Sequence, residues 1–158
     1  MNIRLVILDV DGVLTSNEVY VDSNGMEFYC FNKRDGKGVQ FLKEAGIKVI
    51  AITSEKETLA VSKRLEKLGI DYHFDIKNKK EYFLQNNRFG FEQDQVAFMG
   101  DDIQDIELLE EVGLAFCPKD AYGLVVSVVN IRRLASKGGN GAVREMSDYI
   151  VAVNSLFE

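Results

Sequence analysis

The chain has 158 residues, enough to bury one sizeable core, and its 46% apolar and 28% charged content is ordinary for a globular protein. A net charge of -6 argues against broad nucleic-acid or anionic-membrane binding, leaving room only for a local basic pocket. No apolar run is long enough to cross a bilayer and the opening residues carry no signal-peptide pattern, so a cytoplasmic protein is expected.

Leu5–Leu8 is a short apolar run that reads as a buried strand, and it delivers Asp9, Asp11 and Gly12 in "VILDVDGVLTS". Glu18 to Asn32, "EVYVDSNGMEFYCFN", has period-2 character around Asn24-Gly25, a strong hairpin signal because both positions tolerate positive φ. A helix is expected over Gly36–Ala45, with Val39, Leu42 and Ala45 on one face. Val49–Thr53 reads as a strand, and Glu55–Leu68 as a helix carrying Val61, Leu65 and Leu68. Lys80–Asn87 is a shorter helical candidate. Strands over Val96–Met99 and Leu114–Phe116 bracket a helix over Asp102–Val112, with Ile103, Ile106 and Leu109 on its apolar face. Strands that alternate with helices imply βαβ units, hence a doubly wound, Rossmann-like α/β parallel sheet. The expectation is one domain over 1–158, with the hairpin as a flap, a tail from Lys137 onward and no second folded unit. Cys30 and Cys117 fit no metal-ligand spacing and read as reduced thiols. His73, the only histidine, sits in the apolar stretch "DYHF" and reads as packing.

In a parallel sheet the residues that follow the strands gather at one edge, where open α/β folds bind ligands. Asp9 and Asp11 follow the first strand, and "MGDDIQD" brings Asp101, Asp102 and Asp105 after another. Asp9, Asp11 and Asp101 crowded together would resist ionisation unless a cation sat among them, and all-oxygen ligands suit Mg2+. Thr53 and Ser54 end a strand with hydroxyls suited to a phosphate oxygen. A lysine opening the next helix adds an ammonium. Lys80 is preferred to Lys79 and Lys77 because Phe83 and Leu84 follow it at three and four residues. Asp102 and Asp105 either cap the helix at Ile103 or orient Asp101. Acids, metal, hydroxyl and lysine together suit phosphoryl transfer, where spread negative charge must be stabilised.

"DVDGVLT", "ITS", a helix-opening lysine and "GDDIQD" resemble, in order and spacing, the motifs of the haloacid dehalogenase superfamily of phosphatases. The tail "KGGNGAVRE" resembles the cap-less branch that holds 3-deoxy-manno-octulosonate 8-phosphate phosphatases, the 9-phosphate phosphatases of nonulosonic acids, and a domain fused to some sialic acid cytidylyltransferases. The resemblance implies that Asp9 is the nucleophile and Asp11 the general acid–base. It implies Mg2+ held by Asp9, the Asp11 carbonyl and Asp101, with Thr53 and Lys80 on the phosphoryl group; Ser54 stands where relatives often have glycine. It also implies a homotetramer with shared active sites, whose hairpins meet between subunits. Glu55 follows "TS", a pattern more similar to the nonulosonate group, so the expected substrate is the phosphorylated terminal carbon of a nine-carbon 2-keto-3-deoxy sugar acid, with the eight-carbon acid as alternative. Arg64 and Lys67, further along that helix, are candidates for the carboxylate of a substrate in an adjacent subunit. Arg144 is expected near the substrate or organising the tail. Two rivals differ in class. Phosphorylation receiver domains lack the late "GDD", and a non-catalytic interaction module would not need every motif residue, all of which are present here.

Overall fold

The computed structural model describes residues 2–85 and 88–157. In chain order these form β1 (Leu5–Leu8), β2 (Tyr20–Val21), β3 (Glu27–Phe28), α1 (Lys33–Glu44), β4 (Lys48–Ile52), α2 (Leu59–Leu68), β5 (Asp71–His73), α3 (Lys79–Leu84), β6 (Val96–Met99), α4 (Ile106–Leu109), β7 (Leu114–Cys117), β8 (Arg132–Arg133) and α5 (Ala142–Asn154). Six strands make one parallel sheet in the order β5-β4-β1-β6-β7-β8. This is the doubly wound arrangement expected from the alternation of apolar runs and amphipathic segments.

The apolar runs earn their burial on both faces. Val6 and Leu8 of β1 point into a core shared with Val39 and Leu42 of α1, Val61 and Leu65 of α2, and Val143, Met146 and Ile150 of α5. Leu5 and Ile7, one residue out of phase, point into a second core with Phe83 of α3 and Leu108 and Leu109 of α4. Successive side chains of a strand face opposite ways, so a strand covered by helices on both sides must be apolar throughout. All four residues of β1 are buried.

Several boundaries differ from the sequence expectation. Helix α1 begins at Lys33 because the Asn32 side chain accepts the Arg34 N–H, and Ala45 falls at its exposed cap. Helix α2 begins at Leu59, so Glu55 lies in the preceding loop rather than opening a helix. The segment after Asp102 is a short 3-10 turn leading into α4; Leu108 and Leu109 take the buried face, and Ile103 is exposed. The end of the expected Lys80–Asn87 helix, Asn86 and Asn87, lies outside the described residues. The largest difference is the tail, since Ala142–Asn154 forms α5 and packs on α1. Strands β5 and β8 were not expected; both are short, and β8 is a pair of exposed arginines.

The hairpin β2–β3 pairs Tyr20 with Phe28 and Val21 with Glu27. Its turn is held by Asp22, whose carboxylate accepts the N–H groups of Asn24 and Met26. A Thr15–Phe31 bridge ties its base. Among the described residues no helix is long and apolar enough to cross a membrane.

Candidate active site

The sheet order reverses at β1. From there the chain builds outward through β4 to β5, then crosses to β6 on the other side. Open α/β sheets hold ligands in the crevice at such a switch, beyond the carboxyl ends of the strands. Leu8 and Met99 are in register, so Asp9 and Asp101 emerge side by side at that crevice.

Asp9 continues β1 by donating its N–H to the Met99 carbonyl at 3.0 Å. Its carboxylate is buried; Oδ1 accepts the Val10 N–H at 2.7 Å and lies 2.9 Å from Lys79 Nζ. Lys79 also reaches Asp105 Oδ1 at 2.5 Å, and its side chain is fully buried. The other Asp105 oxygen accepts the N–H groups of Asp101 and Asp102, at 2.9 and 3.1 Å. Asp105 thus spends both oxygens orienting the lysine and the loop after β6. Asp102 caps its own turn through Ile103 N–H.

Lys79, not Lys80, is the lysine of this cluster. Lys80 points outward and pairs with Glu111 at 2.7 Å. Lys79 and the buried Phe83 share a helix face at four-residue spacing, whereas Leu84 is 40% exposed, so the Phe83–Leu84 pattern marks the wrong face for Lys80. Lys77 pairs with Asp75 and with the Ser54 carbonyl.

The electrostatics are those of a site short of positive charge. Burial pushes the Asp9 carboxyl well above the usual range; the charges of Asp105 and Asp101 add to this and Lys79 opposes it. Burial works against the Lys79 charge, but Asp9 and Asp105 outweigh it and hold its pKa up. Asp101 is pushed up to about 6 by burial, against a hydrogen bond from Asn17. Carboxylate oxygens of Asp9, Asp101 and Asp105 lie within 4.8 Å of one another. With Asp105 committed to Lys79 and two amides, Asp9 and Asp101 keep capacity for a further ligand. Buried, crowded carboxylates with one ammonium among them fit a hard divalent cation.

Asp11 is half-buried on the next turn. Burial raises its pKa, the Glu55 charge raises it further, and Lys79 and the Thr15 hydroxyl oppose the shift. A carboxyl whose pKa is raised gives up a proton less readily than an ordinary aspartate, which suits a general acid. Gly12 follows at φ 75°, and a Cβ there would lie 1.9 Å from Asp101 Oδ2. Only glycine lets the backbone turn this close to the acid. Thr53 is buried at the end of β4, where its Oγ1 accepts the Glu55 N–H at 3.0 Å. The Ser54 hydroxyl makes no hydrogen bond among the described residues.

The remaining expected residues are dispersed. Arg64 is half-buried with its guanidinium over the Phe31 ring, 5.8 Å from the centroid, and Lys67 is exposed. Arg144 pairs with Asp148 at 2.8 Å and stacks over Phe41, on the outer side of the α1–α5 contact. The tail does meet the site through backbone of its own chain, because Gly138 packs so tightly on the Gly12 carbonyl that a Cβ would lie 1.7 Å away. Sequence reasoning missed Asp35, a buried carboxylate in α1 that accepts the N–H groups of Gly141 and Arg144 and fixes the start of α5. Its only signal was an acid in an otherwise ordinary first turn.

The haloacid dehalogenase-like hydrolase family matches residues 31–113. The 3-deoxy-D-manno-octulosonate 8-phosphate phosphatase KdsC of Escherichia coli (strain K12) is 37% identical over 153 residues, covering 95% of this chain and 80% of that protein. A hypothetical protein of Xanthomonas campestris, XCC2798, superposes with a TM-score of 0.90 at 38% identity, covering 97% of this chain and 84% of that one. The 3-deoxy-D-manno-octulosonate 8-phosphate phosphatase of Moraxella catarrhalis, solved with magnesium, phosphate and KDO, gives 0.90 at 30% identity over 98% of this chain and 89% of that one. With Asp9, Asp11, Thr53, Lys79 and Asp101 brought to one crevice of a doubly wound sheet, the chain belongs to the haloacid dehalogenase-like hydrolases.

Proposed function

We propose that this chain, a phosphoric monoester hydrolase, removes the terminal phosphate of a 2-keto-3-deoxy sugar acid in the cytoplasm. The observation that carries the reading is the buried Asp9–Lys79–Asp105 cluster beside Asp101, with Asp11, its pKa raised by burial, next to it. Asp9 attacks phosphorus, and the bond from phosphorus to the sugar oxygen breaks as Asp11 gives its proton to the leaving oxygen. Asp11 then takes a proton from water as that water attacks the phosphoryl group on Asp9, which frees phosphate and restores the carboxylate. Thr53 and Lys79 bind phosphoryl oxygens, and Lys79 holds Asp9 in line. Mg2+, held by Asp9, Asp101 and the Asp11 carbonyl, would supply positive charge at the phosphoryl group.

The relatives that act on 3-deoxy-D-manno-octulosonate 8-phosphate support the eight-carbon acid as first candidate. Glu55, near enough to raise the Asp11 pKa, favours a nine-carbon nonulosonate 9-phosphate as the second. A carboxylate there accepts hydrogen bonds from sugar hydroxyls and repels a substrate carboxylate. The exposed apolar hairpin supports a homotetramer that completes each site from a neighbour. Phosphate release from both substrates tests the reading, with chelated protein silent and Mg2+ restoring turnover. The ratio of kcat/KM for the two substrates should move toward the eight-carbon acid in Glu55→Arg. Full turnover in metal-free buffer would remove the metal, and an unchanged ratio would remove Glu55 from substrate choice.

A further inference from the structure

Asp101 is held at its backbone from two sides. Its N–H donates to Asp105 Oδ2, and its carbonyl accepts the Tyr122 N–H at 2.8 Å. Its carboxylate is held differently. Among the described residues the only hydrogen bond to it comes from Asn17 Nδ2, which donates to Oδ2 at 2.7 Å. Asn17 is otherwise exposed and lies between the turn after β1 and the first hairpin strand, in a stretch with no sequence feature that points to chemistry. The same oxygen is fenced by Gly12, where a Cβ would meet both Asp101 Oδ2 and, at 2.7 Å, Asn17 Nδ2. One carboxylate oxygen is thus fixed between Gly12 and an amide, which leaves the other for a ligand.

We propose that Asn17 is a positioning residue for the divalent cation, acting through the Asp101 carboxylate. The proposal rests on the metal reading above. A carboxylate free to rotate must be ordered when a cation binds, whereas one held by an amide is already ordered. Partners that hold a metal ligand in place typically contribute about 10- to 100-fold in metal affinity. Asn17 sits at the hairpin's base, beside the Thr15–Phe31 bridge, so the hydrogen bond also links the root of the flap to the metal site.

The test is Mg2+ binding to substrate-free protein by titration calorimetry, for wild type, Asn17→Ala and Asn17→Gln, together with kcat as a function of Mg2+. Asn17→Ala should raise the Mg2+ Kd about tenfold, with kcat recovering at saturating Mg2+. Asn17→Gln, which keeps an amide on an exposed side chain, should recover most of the affinity. A purely structural tether of the hairpin would move the melting temperature and leave the Mg2+ Kd alone. A Kd for Asn17→Ala within about twofold of wild type, or a Gln variant as weak as Ala, overturns the proposal. Wild-type protein that binds no Mg2+ overturns the metal reading itself, so the two failures are distinct.

Discussion

The turn after β1 and the hairpin that follows it are neighbours in sequence, yet they meet solvent in opposite ways. Asp9 is 2% exposed and Asp101 4%, whereas Tyr20 is 65% exposed and Phe28 52%. The charged groups are inside with their partners, and the large apolar groups are outside without any. Burying a charge is tolerated only when it is paired and hydrogen-bonded, and the acid cluster meets that condition from within one chain. The hairpin is a two-stranded ribbon, marginal alone, with an apolar face that nothing among the described residues covers. The acid cluster finds its partners within one chain, whereas the apolar face of the hairpin finds none among the described residues.

The comparison breaks most sharply at Asp9. Asp9→Asn should lower kcat by at least about a thousandfold while leaving the far-ultraviolet circular dichroism unchanged, because an amide is a poor nucleophile. Near-normal phosphate release by that variant would end the covalent mechanism. Lys79→Met strands Asp9 and Asp105 as buried carboxylates around an apolar side chain and should cost about 3–5 kcal/mol in chemical denaturation. Lys80→Met is the matched control, expected to leave the denaturation midpoint and turnover unchanged. Equal losses from both would mean that burial does not distinguish the two lysines.

Protons compete with the cation for the buried half. Asp101 is held up at about 6, so it is ionised and able to ligate above that pH and neutral below it. The raised Asp9 pKa acts in the same direction. The Mg2+ Kd should therefore rise by at least about tenfold for each pH unit below 6, and calorimetry across that range would expose a flat profile. The smallest effect is expected on the exposed half. Replacing Tyr20 and Phe28 together by serine should lower the mass measured by light scattering without moving the denaturation midpoint of the dilute protein. An unchanged mass would show that the hairpin faces solvent rather than a second subunit.

The sheet and its acids were legible because both follow from short-range rules. A strand buried on two faces must be apolar throughout, and residues just past such strands share an edge. The lysine was misread although its signal was present, since Lys79 and Phe83 stand four apart and the buried aromatic belongs to that pair. Helix α5 was read as a tail despite Val143, Met146 and Ile150 at helical spacing, because its glycine-rich approach drew attention to a loop. Strand β8 was illegible, for two exposed arginines enter a sheet only because β7 is there to pair with them. The Asn17–Asp101 contact was illegible too, as it joins residues far apart in sequence and depends on how the hairpin leaves the turn.

The position of β1 between β4 and β6 also governs when the site can come into existence. The hairpin closes over a few residues, whereas Asp9 and Asp101 meet only when the distant strands β1 and β6 pair in parallel register. Contacts of such sequence separation form late and slowly, because loop closure is costly until the sheet rewards it. Competence to bind Mg2+ during refolding should therefore lag the appearance of helical signal, with the cation as a reporter of the last long-range pairing.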